Sequence, residues 1–105
     1  MAEVVGSLEQ LTAALTNPNF TSYVYIGTEQ DRGWKLAIAA QKMLPALRVY
    51  CVTNPAVAAQ VRTNFNAQPP YVGIVFGWGS EVKDRLLPAQ ADDYLTLTQA
   101  IANAS

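Results

Sequence analysis

Short apolar runs rich in β-branched and aromatic residues alternate along this chain with segments of helical spacing. Turn residues separate nearly all of them. Val4 and Val5 begin the pattern as a short strand. Ser7-Leu8-Glu9-Gln10 fits a capping box, in which the Ser hydroxyl takes the third amide of the helix and the Gln side chain reaches back. Leu8, Leu11 and Leu15 fall on one helical face, and Asn17-Pro18-Asn19 stops the helix. Ser22 to Gly27, SYVYIG, reads as a strand. Glu29-Gln30-Asp31 then opens a helix that runs to Leu44, with acidic residues at the positive end of the dipole and Pro45 beyond its end.

Leu47 to Thr53, LRVYCVT, is the next strand. Asn54-Pro55 starts a helix, with Asn as the cap and Pro where a missing N–H is harmless; Val57, Val61 and Phe65 share a face. Asn66 to Pro70 breaks that helix. Tyr71 to Phe76, YVGIVF, is apolar almost throughout, as a central strand should be. Gly77-Trp78-Gly79-Ser80 turns the chain into a return strand, Glu81 to Leu87, which Pro88 ends. A last helix, about Ala91 to Ala102, carries Leu95, Leu97 and Ile101. The order is β-α-β-α-β-α-β-β-α. It predicts an α/β fold with a central mixed sheet of four to five strands, parallel in its first part, closed by an antiparallel hairpin and flanked on both faces by about four helices.

Composition narrows the function classes. A chain of 105 residues, half of them hydrophobic, fits one domain over residues 1–105 with a packed core. Charged residues make up only 14%, so the polar surface is built mainly from Thr, Asn, Gln and Ser, a composition compatible with a subunit of an assembly. The seven Lys and Arg are scattered and the formal net charge is −1, so the basic face that nucleic-acid binding needs is missing. With no His and a single Cys, the usual general base, the commonest metal ligand and an internal disulfide are all excluded; no metal and no cofactor is expected. The N-terminal segment lacks the pattern of a signal peptide, and no apolar run is long enough to span a bilayer, so the expected location is cytoplasmic and no membrane partner is expected.

The element order resembles that of thioredoxin over essentially the whole chain, and local features agree. The strand VYIGT followed by EQDRGWK resembles the thioredoxin strand and its Trp-Cys-Gly-Pro-Cys-Lys helix start. In that register Gln30 stands at the Trp, Asp31 at the nucleophilic Cys, Arg32 and Gly33 at the Gly-Pro, Trp34 at the resolving Cys and Lys35 at the Lys. Gln68-Pro69-Pro70-Tyr71 before the apolar strand resembles the family's cis-proline loop, and FGWGSEV resembles its hairpin with one extra residue. The extra residue leaves open whether Pro69 or Pro70 is cis. Tyr71 replaces the Thr that usually follows. The resemblance implies a thioredoxin-like domain without the dithiol, not a thiol–disulfide oxidoreductase of the usual kind.

The candidate binding edge is therefore Gln30, Asp31, Arg32, Trp34, Pro69, Pro70 and Tyr71. Each has a plain alternative. Asp31 is either a carboxylate at the former active-site position or an N-cap accepting a helix amide. Trp34 is either an exposed anchor for a partner or a packed core aromatic. Tyr71 and Pro70 should lie near the same edge as Trp34, where the resemblance implies pairing with an extended peptide; otherwise Tyr71 covers the core. Cys51, inside a strand, is a buried inert thiol or a reactive monothiol. Asp92 and Asp93 are adjacent, point apart and suit a helix N-terminus. Three functions stay open: a non-catalytic, chaperone-like module for a protein or peptide partner, a structural subunit or homo-oligomer, and a monothiol redox protein using Cys51.

Overall fold

Strand β2, Thr21–Ile26, is buried along its whole length, and its two-residue alternation divides the core. Tyr23 and Tyr25 point to one face of the sheet; Val24 and Ile26 point to the other. The computed structural model describes residues 2–17, 19–78 and 80–105. The remaining elements in chain order are β1 (Ala2–Val4), α1 (Leu8–Leu15), α2 (Arg32–Met43), β3 (Leu47–Val52), α3 (Pro55–Asn64), β4 (Gly73–Phe76), β5 (Val82–Leu86), α4 (Pro88–Ala91) and α5 (Tyr94–Ala104). The sheet order is β1-β3-β2-β4-β5. Strands β1, β3 and β2 run parallel, and β4 and β5 run antiparallel to their neighbours, with an irregularity between Val75 and Phe76. This is the mixed sheet the sequence predicts.

One face, with Tyr23, Tyr25, Val49, Cys51 and Val75, is covered by Trp34, Ala37 and Ala40 of α2, by Ala91 of α4 and by Leu97 and Ile101 of α5. The other face, with Val24, Ile26, Tyr50, Val52, Ile74 and Phe76, is covered by Leu11 and Leu15 of α1 and by Val57 and Val61 of α3. Among the described residues no helix is long and apolar enough to cross a membrane.

The caps explain where helices begin. Ser7 Oγ accepts from Gln10 N–H at 3.0 Å, while Gln10 Oε1 accepts from Gly6 N–H at 2.9 Å, one residue earlier than a capping box requires. Asn54 Oδ1 accepts from the amides of Ala56 and Val57 at 2.8 and 3.3 Å. Pro18 and Gly79, expected in a helix stop and a hairpin turn, lie outside the described residues.

The C-terminal region departs from expectation. Pro88 follows β5 as the first residue of the short helix α4 and does not simply terminate a strand. Helix α4 ends at its C-cap Asp92, and Asp93 caps a separate α5 by accepting from Thr96 N–H at 3.0 Å. Leu97, Ala100, Ile101 and Ala104 form the buried stripe of α5, and Leu95, off that stripe, is 67% exposed. Strand β4 is also shorter than predicted, because Tyr71 turns back, its N–H donating to Gln68 C=O at 3.2 Å.

Candidate functional site

The β2–α2 connection and the proline loop are joined at the end of the sheet. Ile26 N–H donates to Val72 C=O at 2.7 Å, and Gly27 N–H to Val52 C=O at 3.1 Å. The chain then turns through Thr28–Gln30, with Asp31 N–H donating to Thr28 C=O at 3.2 Å, before α2 starts at Arg32. Asp31 occupies the N-cap position, but its carboxylate makes no bond to the helix amides. It faces backwards and accepts from Thr28 N–H (3.0 Å), Thr28 Oγ1 (2.9 Å) and the Tyr25 hydroxyl (3.0 Å). The expectation of a carboxylate capping its own helix is thereby corrected. The bond from the Thr28 amide, reinforced by the Thr28 hydroxyl, holds the Asp31 carboxyl below the usual carboxylate range.

Two glycines seat Tyr25 beneath this turn. A Cβ on Gly27 would lie 2.7 Å from the Tyr25 ring, and one on Gly33 only 2.5 Å from it. The ring fills the space next to the start of α2, and burial, followed by the Asp31 hydrogen bond, raises its hydroxyl well above the ordinary tyrosine value. Trp34 is 3% exposed and belongs to the same cluster, so it is a packed aromatic and not an exposed anchor. Cys51 is fully buried below it; burial, with Glu29 and Asp31 nearby, pushes its thiol up to about 12. Arg32 Nε donates to Asp92 C=O at 3.1 Å and so ties α2 to the α4–α5 junction. Gln30 and Lys35 are exposed.

In the proline loop the Pro69–Pro70 bond is cis, which identifies Pro70 as the cis residue. Gln68, Pro69 and Pro70 are exposed. Tyr71 is half-buried and packs against the cluster under α1 and α3, whereas Trp34 packs under α2. The two side chains expected at one edge therefore lie on opposite faces of the sheet. Two arginines hold the loop. Arg62 Nη1 donates to the carbonyls of Ala67 (3.1 Å) and Tyr71. Arg85 Nε and Nη2 donate to Phe65 C=O at 3.3 and 3.0 Å. Sequence reasoning missed both, because nothing in their spacing shows that α3 and β5 flank one loop. The loop is correspondingly short of donors: Pro69 and Pro70 have no N–H, and the Tyr71 N–H is engaged by Gln68. The carbonyls of Ala67, Gln68 and Tyr71 are engaged too, so an extended chain laid against the loop meets mainly prolyl rings.

No further reactive group converges here. Among the described residues no three His, Cys, Asp or Glu side chains come together as a metal site, and the Tyr23 hydroxyl is a buried polar atom without a partner, lying over Gly73. A cleft of about 420 Å³ between α1 and α3, lined by Leu8, Ala59, Gln60, Thr63 and Asn64, contains no titratable side chain.

No family model and no curated protein sequence matches the chain. Solved structures do. A designed protein superposes with a TM-score of 0.74 at 18% identity, over 98% of this chain and 93% of its own. The Malassezia sympodialis thioredoxin Mala s 13 gives 0.67 at 14% identity, over 98% and 92%. Arabidopsis thaliana thioredoxin O1, in its oxidised state, gives 0.66 at 16% identity, over 98% and 96%. Identities this low show a common fold alone. With its five-stranded mixed sheet and helices on both faces, this chain has the thioredoxin-like fold.

Proposed function

We propose that the chain is a redox-inactive thioredoxin-like interaction module, of chaperone-like type, that holds a protein or peptide at the rim formed by Gln30, Arg32 and the Pro69–Pro70 loop. One observation carries this reading: the rim is exposed, while the groups that could react beside it are engaged or buried. Asp31 is fixed by three hydrogen bonds, Trp34 is in the core, and Cys51 is buried with its thiol strongly protonated. Exposed prolyl rings, with Gln30 and Arg32 also exposed at this end of the sheet, favour an extended segment held mainly through its side chains. Full strand addition would need donors that Pro69 and Pro70 lack, so contacts to side chains must supply most of the selectivity. Asp31, Trp34 and Tyr71 act in this reading by shaping the rim from below.

The test is selection of peptides from a random displayed library on the native chain, followed by amide chemical-shift mapping. Shifts should gather on Thr28–Arg32 and Gln68–Val72, and Arg32→Ala combined with Pro70→Ala should weaken the selected peptides by at least about tenfold. Peptides that shift residues elsewhere, or bind the double variant equally well, overturn the reading. Reduction of insulin by the native chain with dithiothreitol as donor, above the dithiothreitol background, overturns the redox-inactive part.

A further inference from the structure

Helix α5 has a second face. Opposite its buried stripe, Leu95, Thr98, Gln99 and Ala102 recur at the spacing i, i+3, i+4, i+7 and form one outward seam. No charged residue occurs from Tyr94 to Ser105. The Thr98 hydroxyl is turned back onto its own helix, donating to the carbonyls of Tyr94 and Leu95 at 2.9 and 3.1 Å. Beside the seam runs a cleft of about 390 Å³, walled by Met43 and Leu44 of the α2 end and by Tyr94 and Ala102. It continues into a smaller cleft of about 160 Å³ that shares Leu44 and Ala102. Leu95 is 67% and Met43 72% exposed, so large apolar side chains stand in water beside an apolar cleft.

We propose that this face is a self-association surface, occupied by a second copy of the chain. Two α5 helices pack antiparallel about a two-fold axis near Thr98 and Gln99, each placing Leu95 in the other copy's cleft beside Ala102. Three features fit that occupant. The seam carries a large residue at one end and a small one seven positions on, so a two-fold contact sets large against small twice. A seam without charges escapes the like-charge meeting that a two-fold axis imposes, and a formal net charge of −1 leaves little repulsion between copies. The ends are complementary. Arg32 meets the Asp92 carbonyl and Leu44 shares a cleft with Ala102, so α2 and α5 run parallel. The end with Asp92, Asp93 and Arg32 sums to −1 and the end with Lys42 to +1, and the antiparallel arrangement brings them together.

An 11-residue helix is about 16 Å long, so a contact confined to α5 and its cleft is short, and the proposal expects a reversible dimer. Sedimentation velocity from about 10 µM to 1 mM should show monomer passing into dimer. Leu95→Glu should weaken the dimer at least about tenfold with an unchanged circular dichroism spectrum and melting curve. Lys42→Glu should weaken it less, and adding Asp92→Lys should restore it. Trp78→Ala, at a residue 64% exposed in the β4–β5 turn, should leave it unchanged. A monomer at every concentration, or a Leu95→Glu dimer as tight as the native one, overturns the proposal. So does a monomer whose binding of anilinonaphthalene sulfonate is lost in Leu95→Glu, which would give the face to a small apolar ligand.

Discussion

Helix α2 begins at Arg32 in a turn closed by hydrogen bonds and ends at Met43 in open apolar surface, and its two ends treat similar residues in opposite ways. At the first end a large aromatic, Trp34, is buried, and the carboxylate at the N-cap, Asp31, is held by Thr28 and Tyr25. At the second end a large aliphatic, Met43, is exposed, and the side chain of the neighbouring Lys42 makes no hydrogen bond or ion pair among the described residues. The end that corresponds, by resemblance, to the thioredoxin dithiol is filled by packing. The tyrosine ring of Tyr25 fills it, and Gly27 and Gly33 make room for that ring. The end far from that site keeps the uncovered apolar surface. A hydrophobic residue at a helix start is thus a poor guide to a binding surface; what the neighbouring elements put over it decides.

The sharpest way to break this comparison is to truncate one side chain at each end. Trp34→Ala should destabilise the fold by about 3–5 kcal/mol, the range for removing a buried large aromatic. Met43→Ala should change it by less than about 0.5 kcal/mol, as for exposed positions without special contacts. Urea unfolding followed by circular dichroism measures both. A Trp34→Ala variant within about 1 kcal/mol of the native chain would mean that Trp34 is not the core residue its burial implies, and would return it to the candidate surface.

Much of the order of elements was legible because the signals are local. The strands around Val24 and Val49 are dense in β-branched and aromatic residues, and Asn54-Pro55 both caps and starts α3. The misses depend on elements far apart in sequence. Whether Trp34 is exposed is settled by the cluster it joins, with side chains from β2, β3 and α5, and the arginine clamps on the proline loop come from α3 and β5. Pro88 reads as a terminator or as a first helical residue with equal ease, so α4 was lost. The outward place of Leu95 is legible locally: it sits two residues before Leu97, about 200° around the helix, and so falls off the stripe that Leu97, Ala100, Ile101 and Ala104 define.

A smaller effect sharpens the contrast at the fixed end. Asp31→Asn keeps an oxygen that can accept from Thr28 N–H but removes the charge, and should lower stability near neutral pH by about 1 kcal/mol. The sign with pH follows from the lowered carboxyl value in the fold. A group whose folded value is depressed stabilises fully above its unfolded value, about 3.9 for Asp, and loses that contribution as pH falls through the folded value. The gap between native chain and Asp31→Asn should therefore be constant from about pH 5 to 8 and close below about pH 4. Taking the difference between the two curves cancels Asp93, whose carboxyl is also lowered by its bonds to Thr96. A gap that persists unchanged at low pH would mean the carboxylate's charge is not what the turn uses.

The smallest effect is a reaction that should not happen. Cys51 lies one residue before the end of β3, between Tyr25 of β2 and Val4 of β1, and has no exposed surface. Two barriers act on it together. With its thiol pushed up to about 12, the reactive thiolate at pH 8 is roughly one part in ten thousand, and an alkylating reagent cannot reach the sulfur without opening the sheet. Native protein with iodoacetamide at pH 8 should stay unlabelled over hours while unfolded protein is labelled within minutes, both read by intact mass. Any slow native labelling should track unfolding, so Trp34→Ala should accelerate it and Met43→Ala should not. If native labelling is instead fast and indifferent to Trp34→Ala, the sulfur is reached through a local opening at the fixed end of α2. That end would then be the mobile one, and the contrast between the two ends of the helix would reverse.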